Sequence, residues 1–266
     1  KKIKTSAILV TGGLQVTADP ELMYKNFPDV NYFIGGETEF ALAELVNKYP
    51  NHDNIKSKVN GLIFKENGTI KRNPRQDLIR DMDIIPMYDY SLFEDQVFYR
   101  SYNGKVIKGV DFELSRGCPY TCSYCVETVM QKYYGFDEIV GNGVARNAKQ
   151  YLRNKSGKRV FDEMKYLYEN YSIKYFRCQD TNFLTIDRKT LETLANLLDS
   201  NDLPIMLYIE TRPESIKPNI IPLMKKLKID GVGMGIELAS EKFRKTSLNR
   251  YPSQEKIINA FKILRE

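Results

Sequence analysis

Apolar positions in the second half of the chain recur with helical spacing, and short apolar stretches separate these helices. We predict strands over 111–115, 174–178, 205–210 and 231–236, each followed by a helix. The four helical stripes are Val160, Phe161, Met164, Leu167, Tyr168 and Tyr171; Leu191, Leu194, Ala195 and Leu198; Ile220, Leu223, Met224 and Leu227; and Ile257, Phe261 and Leu264. Repeated βα units with right-handed crossovers form a parallel sheet or barrel. The predicted fold class is therefore α/β, with a partial parallel (β/α) barrel over 109–266 that is truncated at its C-terminal end.

The first fifty residues follow a shorter βαβα pattern. Residues 5–10 read as a buried strand that ends at Thr11-Gly12-Gly13, and Asp19-Pro20 supplies an N-cap and a first-turn proline for a short helix. A second strand is predicted over 31–34. The amphipathic helix that follows is marked by Leu42, Leu45, Val46 and Tyr49.

The region 51–108 has a different pattern, which predicts a linker with two hairpins. Asn67-Gly68 and Asn103-Gly104 each lie between two short apolar stretches, and Asn-Gly favours the positive φ angles of a tight hairpin turn. A proline-bearing connection through Asn73-Pro74 and Ile85-Pro86 joins the hairpins.

Composition excludes several classes of protein. The 266 residues include 40 Lys and Arg against 34 Asp and Glu, a net charge of +6, and 42% are hydrophobic, so a disordered or collagenous chain is excluded. The longest aliphatic runs are far shorter than the roughly 18 residues of a membrane helix. Nucleic acid is permitted by the charge but not indicated, because the basic residues are scattered among acids.

Two further features concern the setting of the chain. There is no secretory leader pattern, and the four cysteines are too few to staple a domain of this size, so we expect a reducing cytoplasm. The sequence begins at Lys1 rather than at a methionine, which is consistent with a fragment or a trimmed chain.

Polar or thiol groups follow each predicted barrel strand. The loops begin at Arg116-Gly117-Cys118, Gln179-Asp180-Thr181, Glu210-Thr211-Arg212 and Glu237-Leu238. Functional residues of a parallel barrel lie where strands end and βα loops begin, so we expect one shared site at the barrel mouth. The stretch from Gly135 to Arg159, between the first loop and the first barrel helix, reads as an insertion or a cover over the substrate.

Three of the four cysteines lie in one of these loops. Cys118, Cys122 and Cys125 have the spacing C-x3-C-x2-C, and a loop this short can wrap three thiolates around one soft metal centre. A 4Fe-4S cubane normally takes four cysteines, so three leave one iron open. A zinc site would need a fourth ligand, for which Cys178 and His52 are the candidates. Three unrelated buried cysteines are the remaining alternative.

The segment Cys118-Pro119-Tyr120-Thr121-Cys122-Ser123-Tyr124-Cys125 resembles the cluster loop of the radical S-adenosylmethionine (SAM) superfamily, including the aromatic Tyr124 before the last cysteine. The resemblance implies that the three cysteines hold a 4Fe-4S cluster whose open iron chelates SAM. One electron then cleaves the sulfonium to a 5′-deoxyadenosyl radical. It also implies an external one-electron reductant of the flavodoxin or ferredoxin kind.

Later loops extend the resemblance. Asp180-Thr181-Asn182-Phe183 resembles the Asp-Asp-x-Phe form found in the cobalamin-dependent branch, which implies a position near the SAM amino group. Glu210–Glu214 and Gly233–Glu237 resemble the third-strand and fourth-strand elements, and Leu248–Arg250 a segment whose arginine contacts the SAM carboxylate. A strand-end Glu or Arg is also commonly a surface ion pair, and Asn182 also fits a helix-entry turn. The SAM-contacting residues implied are Tyr124, Asp180, Glu210, Arg212, Glu237 and Arg250.

Residues 1–50 resemble the C-terminal part of the Rossmann-like cobalamin-binding domain that precedes the barrel in this branch, and Ile84–Phe93 resembles its interdomain linker. Glycines after strands let a backbone approach a bulky ligand. No Asp-x-His-x-x-Gly motif supplies an axial histidine, and His52 reads as a solvent-facing loop residue. Three explanations stay open: the ligand-bearing part precedes this sequence, cobalamin binds without histidine, or the domain is vestigial. The candidate glycines are Gly12, Gly13, Gly35 and Gly36.

The predicted function is that of a radical SAM enzyme, most simply a cobalamin-dependent methyltransferase that acts on an unactivated carbon of a small molecule or peptide. Its cofactors would be the 4Fe-4S cluster, SAM and, as a further candidate, cobalamin. Rearrangement, ring formation and methylthiolation are alternatives within the superfamily, although methylthiolating relatives carry extra N-terminal cysteines that this chain lacks. A non-catalytic iron-sulfur or zinc protein, with Cys178 as the fourth ligand, is the alternative from another class.

Overall fold

Two sheets form the frame of the protein, each in its own compact unit. The computed structural model describes residues 7–48, 56 and 58–265. The first unit lies within Lys1–Ile79 and Tyr124–Glu138, and the second within Arg80–Ser123 and Ile139–Glu266. His52 lies outside the described residues.

The sheet of the first unit has four strands in the order β1-β2-β3-β4. β1 and β2 are parallel, whereas β2–β3 and β3–β4 are antiparallel. Asp19 caps the second helix as predicted, because its Oδ1 accepts a hydrogen bond from the Leu22 N–H at 2.9 Å. The strands are β1 (Val10–Gly12), β2 (Tyr32–Ile34), β3 (Leu62–Glu66) and β4 (Thr69–Arg72), and the helices are α1 (Leu14–Ala18), α2 (Pro20–Asn26) and α3 (Glu39–Lys48).

The first unit differs from the sequence prediction at two places. The first strand covers Val10–Gly12 instead of 5–10, and residues 1–6 lie outside the described part of the chain. The first predicted hairpin is present, with φ of 49° at Asn67 and 77° at Gly68. It is part of the first sheet, however, because β3 pairs with β2. A pattern of apolar residues shows that a hairpin forms but not which sheet it joins.

One helix of the first unit comes from much later in the chain. Helix α4 (Val126–Tyr134) starts directly after Cys125. The Tyr134 hydroxyl accepts a hydrogen bond from the Glu37 N–H at 2.9 Å, and Arg75 Nη1 donates to the Tyr133 carbonyl at 2.6 Å. No local feature of the sequence predicts that this helix belongs with the first sheet.

The second unit contains the predicted parallel sheet, in the order β11-β10-β9-β6-β5. β6, β9, β10 and β11 are mutually parallel, and β5 is an antiparallel edge. The strands of this sheet are β5 (Tyr99–Tyr102), β6 (Lys105–Phe112), β9 (Tyr175–Cys178), β10 (Met206–Thr211) and β11 (Ile229–Met234), and β7 (Ser115–Arg116) pairs separately with β8 (Arg153–Asn154). The helices are α5 (Ala148–Tyr151), α6 (Gly157–Tyr171), α7 (Arg188–Ser200), α8 (Ile221–Lys226), α9 (Glu241–Ser247) and α10 (Gln254–Arg265).

The second hairpin is an extension of this sheet. Asn103 and Gly104 have φ of 48° and 70°, as the Asn-Gly turn predicts. The predicted hairpin strand over 105–107 and the start of the predicted barrel strand over 111–115 are one continuous strand, β6, which ends at Phe112. The predicted linker region 51–108 is thus divided between the two sheets.

Alternation along the parallel strands separates an apolar face from a polar one. The apolar face packs in one core with the helical stripes of α6, α7 and α8. The opposite face carries Asp111, Arg177, Tyr208 and Glu210. The strand residues on the apolar face are Val110, Phe112, Phe176, Cys178, Leu207 and Ile209. The predicted α/β fold with a parallel barrel-type sheet is confirmed.

Within the described ranges, none of the helices combines the length and the apolar character that crossing a membrane requires.

Candidate active site

The polar loops predicted from sequence follow strands that end at one edge of the parallel sheet. β6, β9, β10 and β11 run in the same direction, so their carboxyl ends lie side by side. The loop that carries the cysteines follows β6. Residues 118–123 of this loop belong to the second unit, and Cys125 directly precedes α4.

The cysteine loop depends on close backbone contacts at its start. Gly117 has φ of +93°, and a Cβ there would lie 2.6 Å from the Tyr151 carbonyl oxygen, so only glycine fits without a shift. The Thr121 N–H donates to the Gly143 carbonyl and the Ala145 N–H to the Pro119 carbonyl, both at 2.8 Å. Part of the predicted 135–159 insertion therefore lies against the cysteine loop.

The segment Ser247–Asn249 lies against the other side of the same loop. Asn249 Nδ2 donates to the Thr121 carbonyl at 2.9 Å and to Thr121 Oγ1 at 2.7 Å. The Ser123 N–H donates to the Leu248 carbonyl at 3.1 Å, and Ser123 Oγ donates to the Ser247 carbonyl at 2.6 Å. Four hydrogen bonds thus fix Thr121 and Ser123, the residues on either side of Cys122.

The thiols of the loop differ from the fourth thiol in their surroundings. No disulfide joins any of the four cysteines, all of which the structure describes. Cys118 and Cys122 are buried and Cys125 is half-buried. Cys178 lies in the apolar core with Phe112 and Leu114, and burial raises the pKa of its thiol well above the ordinary value. Its packing is that of a core side chain, as inert buried cysteines show.

The donor chemistry of the loop suits an iron-sulfur cluster. Among the described residues, no three His, Cys, Asp or Glu side chains are gathered closely enough to hold a single metal ion. A 4Fe-4S cluster takes its thiolates on three different irons, so its ligands are more widely spaced than those of one ion. Three thiols outside any disulfide within eight residues fit that requirement.

Arg212 contacts one of these thiols. Its Nη1 donates to Cys122 Sγ at 3.2 Å, and its guanidinium lies 3.6 Å from the centre of the Tyr120 ring. Arg212 Nε donates to Glu214 Oε1 at 2.6 Å. Burial would lower the pKa of Arg212, but the Glu214 carboxylate outweighs it and raises that pKa. Arg212 is therefore a permanent buried cation beside Cys122.

Asp180 supports the start of the cysteine loop. Its Oδ1 accepts hydrogen bonds from the Ser115 N–H and hydroxyl, both at 2.5 Å, and from the Leu114 N–H at 3.2 Å. Burial raises the pKa of its carboxyl to about 7, although the Ser115 hydrogen bonds act in the opposite direction. Asp180 therefore fixes the backbone just before the first cysteine.

Asn182 is buried beside the end of β10. Its Oδ1 accepts a hydrogen bond from Thr211 Oγ1 at 2.8 Å. Its Nδ2 is buried without a hydrogen-bond partner among the described residues. A buried donor of this kind is costly unless a ligand or water satisfies it.

Glu237 and Arg250 pair with each other. Arg250 Nη1 lies 3.8 Å from Glu237 Oε1, Arg250 Nη2 also donates to the Gly235 carbonyl, and Glu237 has φ of 67°. Glu210 is exposed on β10, opposite Gly233 of β11. Tyr124 is 48% exposed. In the structure Arg212 therefore contacts Cys122, and Glu237 lies beside Arg250. Glu210 lies on the polar face of the sheet.

The four glycines of the first unit have unequal surroundings. A Cβ at Gly36, where φ is +79°, would lie 2.4 Å from Tyr134 Oη, and one at Gly35 would lie 3.2 Å from Tyr133 Oη. A Cβ at Gly12 would lie 2.4 Å from Thr38 Cγ2. Around Gly13, with φ of +103°, none of the described residues comes within 4 Å of that position. Three of the four glycines thus lie close to side chains of their own unit, whereas Gly13 does not meet any described side chain.

Sequence reasoning missed the residues that hold the loop in place. The motifs contain Asn249 only as a neighbour of Arg250 and Thr121 only as a spacer between cysteines, and they do not include Ser115 or Gly143. Most of these contacts join residues that are far apart in sequence, so no periodicity could reveal them. The usable signal was the glycines, because Gly117 and Gly143 both adopt positive φ.

Comparison with known proteins gives one family and several relatives. The radical SAM superfamily profile matches residues 112–266. The chain is 28% identical over 243 residues to an uncharacterized methyltransferase of Pyrococcus horikoshii, which covers 90% of this chain and 47% of that protein. It is 23% identical over 236 residues to an anaerobic magnesium-protoporphyrin IX monomethyl ester cyclase of Synechocystis, with 88% of this chain and 42% of the cyclase covered. The chain thus spans less than half the length of these relatives.

Two solved enzymes share the fold. The radical SAM methyltransferase TsrM of Kitasatospora setae, solved with cobalamin and a 4Fe-4S cluster, matches with a TM-score of 0.64 and 20% identity over 98% of this chain and 48% of its own. The cobalamin-dependent radical SAM enzyme OxsB, solved with aqua-cobalamin and SAM, matches with a TM-score of 0.67 and 17% identity over 97% of this chain and 35% of its own. Since the superfamily profile covers more than half of the sequence and falls on the cysteine loop and the parallel sheet, the chain belongs to the radical SAM superfamily.

Proposed function

We propose that this chain binds a 4Fe-4S cluster through Cys118, Cys122 and Cys125 and cleaves SAM reductively, as part of a cobalamin-dependent methyltransferase. The observation that carries the proposal is the cysteine loop, whose three thiols lie outside any disulfide and whose backbone is fixed from both sides. When bound, the cluster supplies one electron that breaks a carbon–sulfur bond of SAM to give methionine and a 5′-deoxyadenosyl radical, and methylcobalamin supplies the methyl group.

The chain's own residues would bind and orient SAM. Arg250 can donate to the SAM carboxylate, and Glu237 and Glu210 can accept from an ammonium or from ribose hydroxyls. Asn182 offers a buried amide donor that lacks a partner among the described residues. Tyr124 offers an exposed ring next to Cys125. Asp180 would act through the backbone of Leu114 and Ser115, which it holds by hydrogen bonds.

The first unit is proposed as part of the corrinoid site. In the described part of the chain nothing lies within 4 Å of a Cβ placed on Gly13, directly after β1, so a bulky ligand could approach its backbone. Thr38, Tyr133 and Tyr134 occupy the positions next to Gly12, Gly35 and Gly36. These three glycines would therefore contribute to the site by letting those side chains pack closely, not by contacting the corrinoid. The similarity in fold to two cobalamin-dependent enzymes supports this assignment. The substrate is proposed to be a small molecule or peptide, and the electron would come from a flavodoxin-like or ferredoxin-like protein.

Ring formation is the second candidate, because three of the curated relatives are anaerobic magnesium-protoporphyrin IX monomethyl ester cyclases. Both candidates begin with SAM cleavage. They differ in whether a methyl group reaches the product.

The test uses the full-length protein, reconstituted anaerobically with iron and sulfide and incubated with hydroxocobalamin, a chemical reductant and SAM. We expect 5′-deoxyadenosine and methionine in equal amounts and a retained corrinoid absorption spectrum. Label from methyl-labelled SAM should appear on the bound corrinoid if the enzyme is a methyltransferase of this kind.

A matched pair of variants provides the control. Cys118→Ala should produce no 5′-deoxyadenosine, whereas Cys178→Ala, which removes a core thiol, should still produce it. Equal production by the parent and Cys118→Ala would refute the radical SAM assignment of this loop. SAM cleavage with no label transferred from methyl-labelled SAM to the corrinoid or to a product would favour ring formation or another radical reaction.

A further inference from the structure

Arg212 is buried against the cysteine loop, and its polar contacts are to protein groups. Only 6% of its surface is exposed. Nη1 lies 3.2 Å from Cys122 Sγ, while Nε donates to Glu214 Oε1 at 2.6 Å and Nη2 lies 2.5 Å from the same oxygen. Its face lies 3.6 Å from the centre of the Tyr120 ring. The guanidinium is thus fixed by three partners, one of which is a cysteine of the metal-binding loop.

These contacts direct the arginine to the sulfur. An arginine that recognises a free carboxylate presents two parallel N–H groups to it. Here the Nε and Nη2 edge already faces Glu214, and the remaining Nη1 faces Cys122. In the proposed function the SAM carboxylate is therefore assigned to Arg250, and Arg212 has a different partner.

A buried cation beside a thiolate ligand favours the more negative state of the centre. Reduction adds one electron to a 4Fe-4S cluster, and the reduction potential of such clusters depends on net charge, hydrogen bonds to the sulfurs and solvent exposure. Arg212 supplies both a positive charge and a hydrogen bond to a sulfur in a region of low exposure, where charges interact strongly. It should make the cluster easier to reduce.

Glu214 limits this effect. Its Oε1 pairs with Arg212, whereas its Oε2 is buried without a partner among the described residues. The carboxylate therefore cancels part of the arginine's charge and holds the guanidinium in place. Removal of each charge should shift the potential in opposite directions.

We propose that Arg212 is a positioning residue that orients the Cys122 thiolate and raises the reduction potential of the cluster, with Glu214 opposing it. This inference rests on the proposed function, because it requires that the loop hold a cluster. It concerns the ease of electron entry, which the cysteine pattern does not determine.

The test compares reconstituted full-length protein with Arg212→Gln, Arg212→Lys, Glu214→Gln and the control Arg188→Gln. Arg188 is an exposed arginine of α7 that pairs with Glu192. Iron and acid-labile sulfide are measured per chain, and the midpoint potential is determined by an EPR-monitored redox titration without SAM. These readouts do not depend on turnover.

We expect Arg212→Gln to lower the ratio of reduced to oxidised cluster at a fixed potential about tenfold, which is a downward shift of about 59 mV for a one-electron couple. Glu214→Gln should shift the potential upward. Arg212→Lys should lie between the parent and Arg212→Gln because it keeps the charge but loses the planar fork. Arg188→Gln should match the parent.

Equal potentials in the parent and Arg212→Gln, at equal iron content, would overturn the inference while leaving the proposed function intact. Loss of iron from both Arg212 variants, with normal iron in Arg188→Gln, would reject a role in setting the potential. A parent protein that binds no cluster would overturn both the inference and the proposed function.

Discussion

The cysteine loop and the glycine turns of the first unit show the same kind of sequence signal with different structural outcomes. Both consist of residues that a cofactor site requires, placed directly after strands. Around the cysteine loop the structure places Arg212, Asn249 and the backbone of Gly143. Around Gly12, Gly35 and Gly36 it places side chains of the same unit, whereas no described residue lies close to the Cβ position of Gly13.

The difference lies in what each residue type can do. Another small side chain could pack as well as a thiol does. Three thiols in a short, fixed loop therefore indicate metal binding or reactivity rather than packing. A glycine serves equally well for a ligand, a turn or the close approach of a tyrosine. The cysteine spacing is therefore a specific signal, whereas a Gly-Gly pair needs the structure to show what approaches it.

The largest expected effect concerns the cysteines themselves. Replacement of Cys118, Cys122 or Cys125 by alanine should abolish stable cluster binding, because two thiolates are too few to hold a cubane with one open iron. Cys178→Ala should bind the parent's amount of iron, since this thiol lies in the apolar core. Iron and sulfide analysis after anaerobic reconstitution provides the measurement. Loss of iron in Cys178→Ala with normal folding would instead indicate a fourth protein ligand.

The fold was predictable where a local pattern determines it. The helical stripe that ends at Tyr171 predicts α6, and the Asn-Gly pairs at 67–68 and 103–104 predict hairpin turns that the structure confirms. The sheet that each hairpin joins was not predictable, because strand pairing depends on residues distant in sequence. For the same reason β6 was read as two strands, and α4 gave no sign of its place in the first unit.

The candidate site was predictable as a set of residues but not as a set of contacts. The cysteines and Arg212 were identified from spacing and resemblance, yet the 3.2 Å contact between Arg212 and Cys122 joins positions 90 residues apart. Asp180 was expected near SAM, and the structure shows its carboxylate holding the backbone at Ser115. A motif identifies the type of side chain at a position. Its hydrogen-bond partners become known only from the fold.

The loss of stability on substitution should distinguish a glycine required for packing from one whose backbone is accessible to a ligand. Gly36→Ala should destabilise the protein by about 2–5 kcal/mol, because it combines a positive φ with overpacking against Tyr134. Gly13→Ala should cost only about 1–3 kcal/mol, from its backbone conformation alone. Urea denaturation of both variants measures this difference. Equal losses of stability would show that the Tyr134 contact does not constrain Gly36.

The third prediction concerns pH. Burial raises the pKa of Asp180 to about 7, so the folded protein keeps this carboxyl protonated at pH values where the unfolded chain has released the proton. The stability that this group contributes at about pH 4 is therefore lost as the pH rises toward 7. Asp180→Asn should remove this dependence, so the stability of the parent relative to the variant should fall by about 4 kcal/mol between pH 4 and 8. A constant difference across this range would contradict the raised pKa.

The smallest expected effect concerns Asn249. Asn249→Ala removes two hydrogen bonds to Thr121 and should cost about 1 kcal/mol of stability. It should also loosen the cysteine loop, so reconstituted cluster should be lost to a chelator faster than from the parent. The exposed Asn170, whose Nδ2 donates to the Tyr166 carbonyl, provides a control as Asn170→Ala. Equal rates of cluster loss in the parent and both variants would show that Asn249 does not stabilise the cysteine loop.

The central claim is that three thiolates leave one iron open for SAM, and electron–nuclear double resonance on the reduced cluster tests it most directly. After addition of SAM with a ¹⁵N-labelled amino group, we expect a hyperfine coupling between that nitrogen and the cluster in the parent, and the same coupling in Cys178→Ala. A reduced cluster whose spectrum is unchanged by SAM, with no coupling to the labelled nitrogen, would contradict the claim.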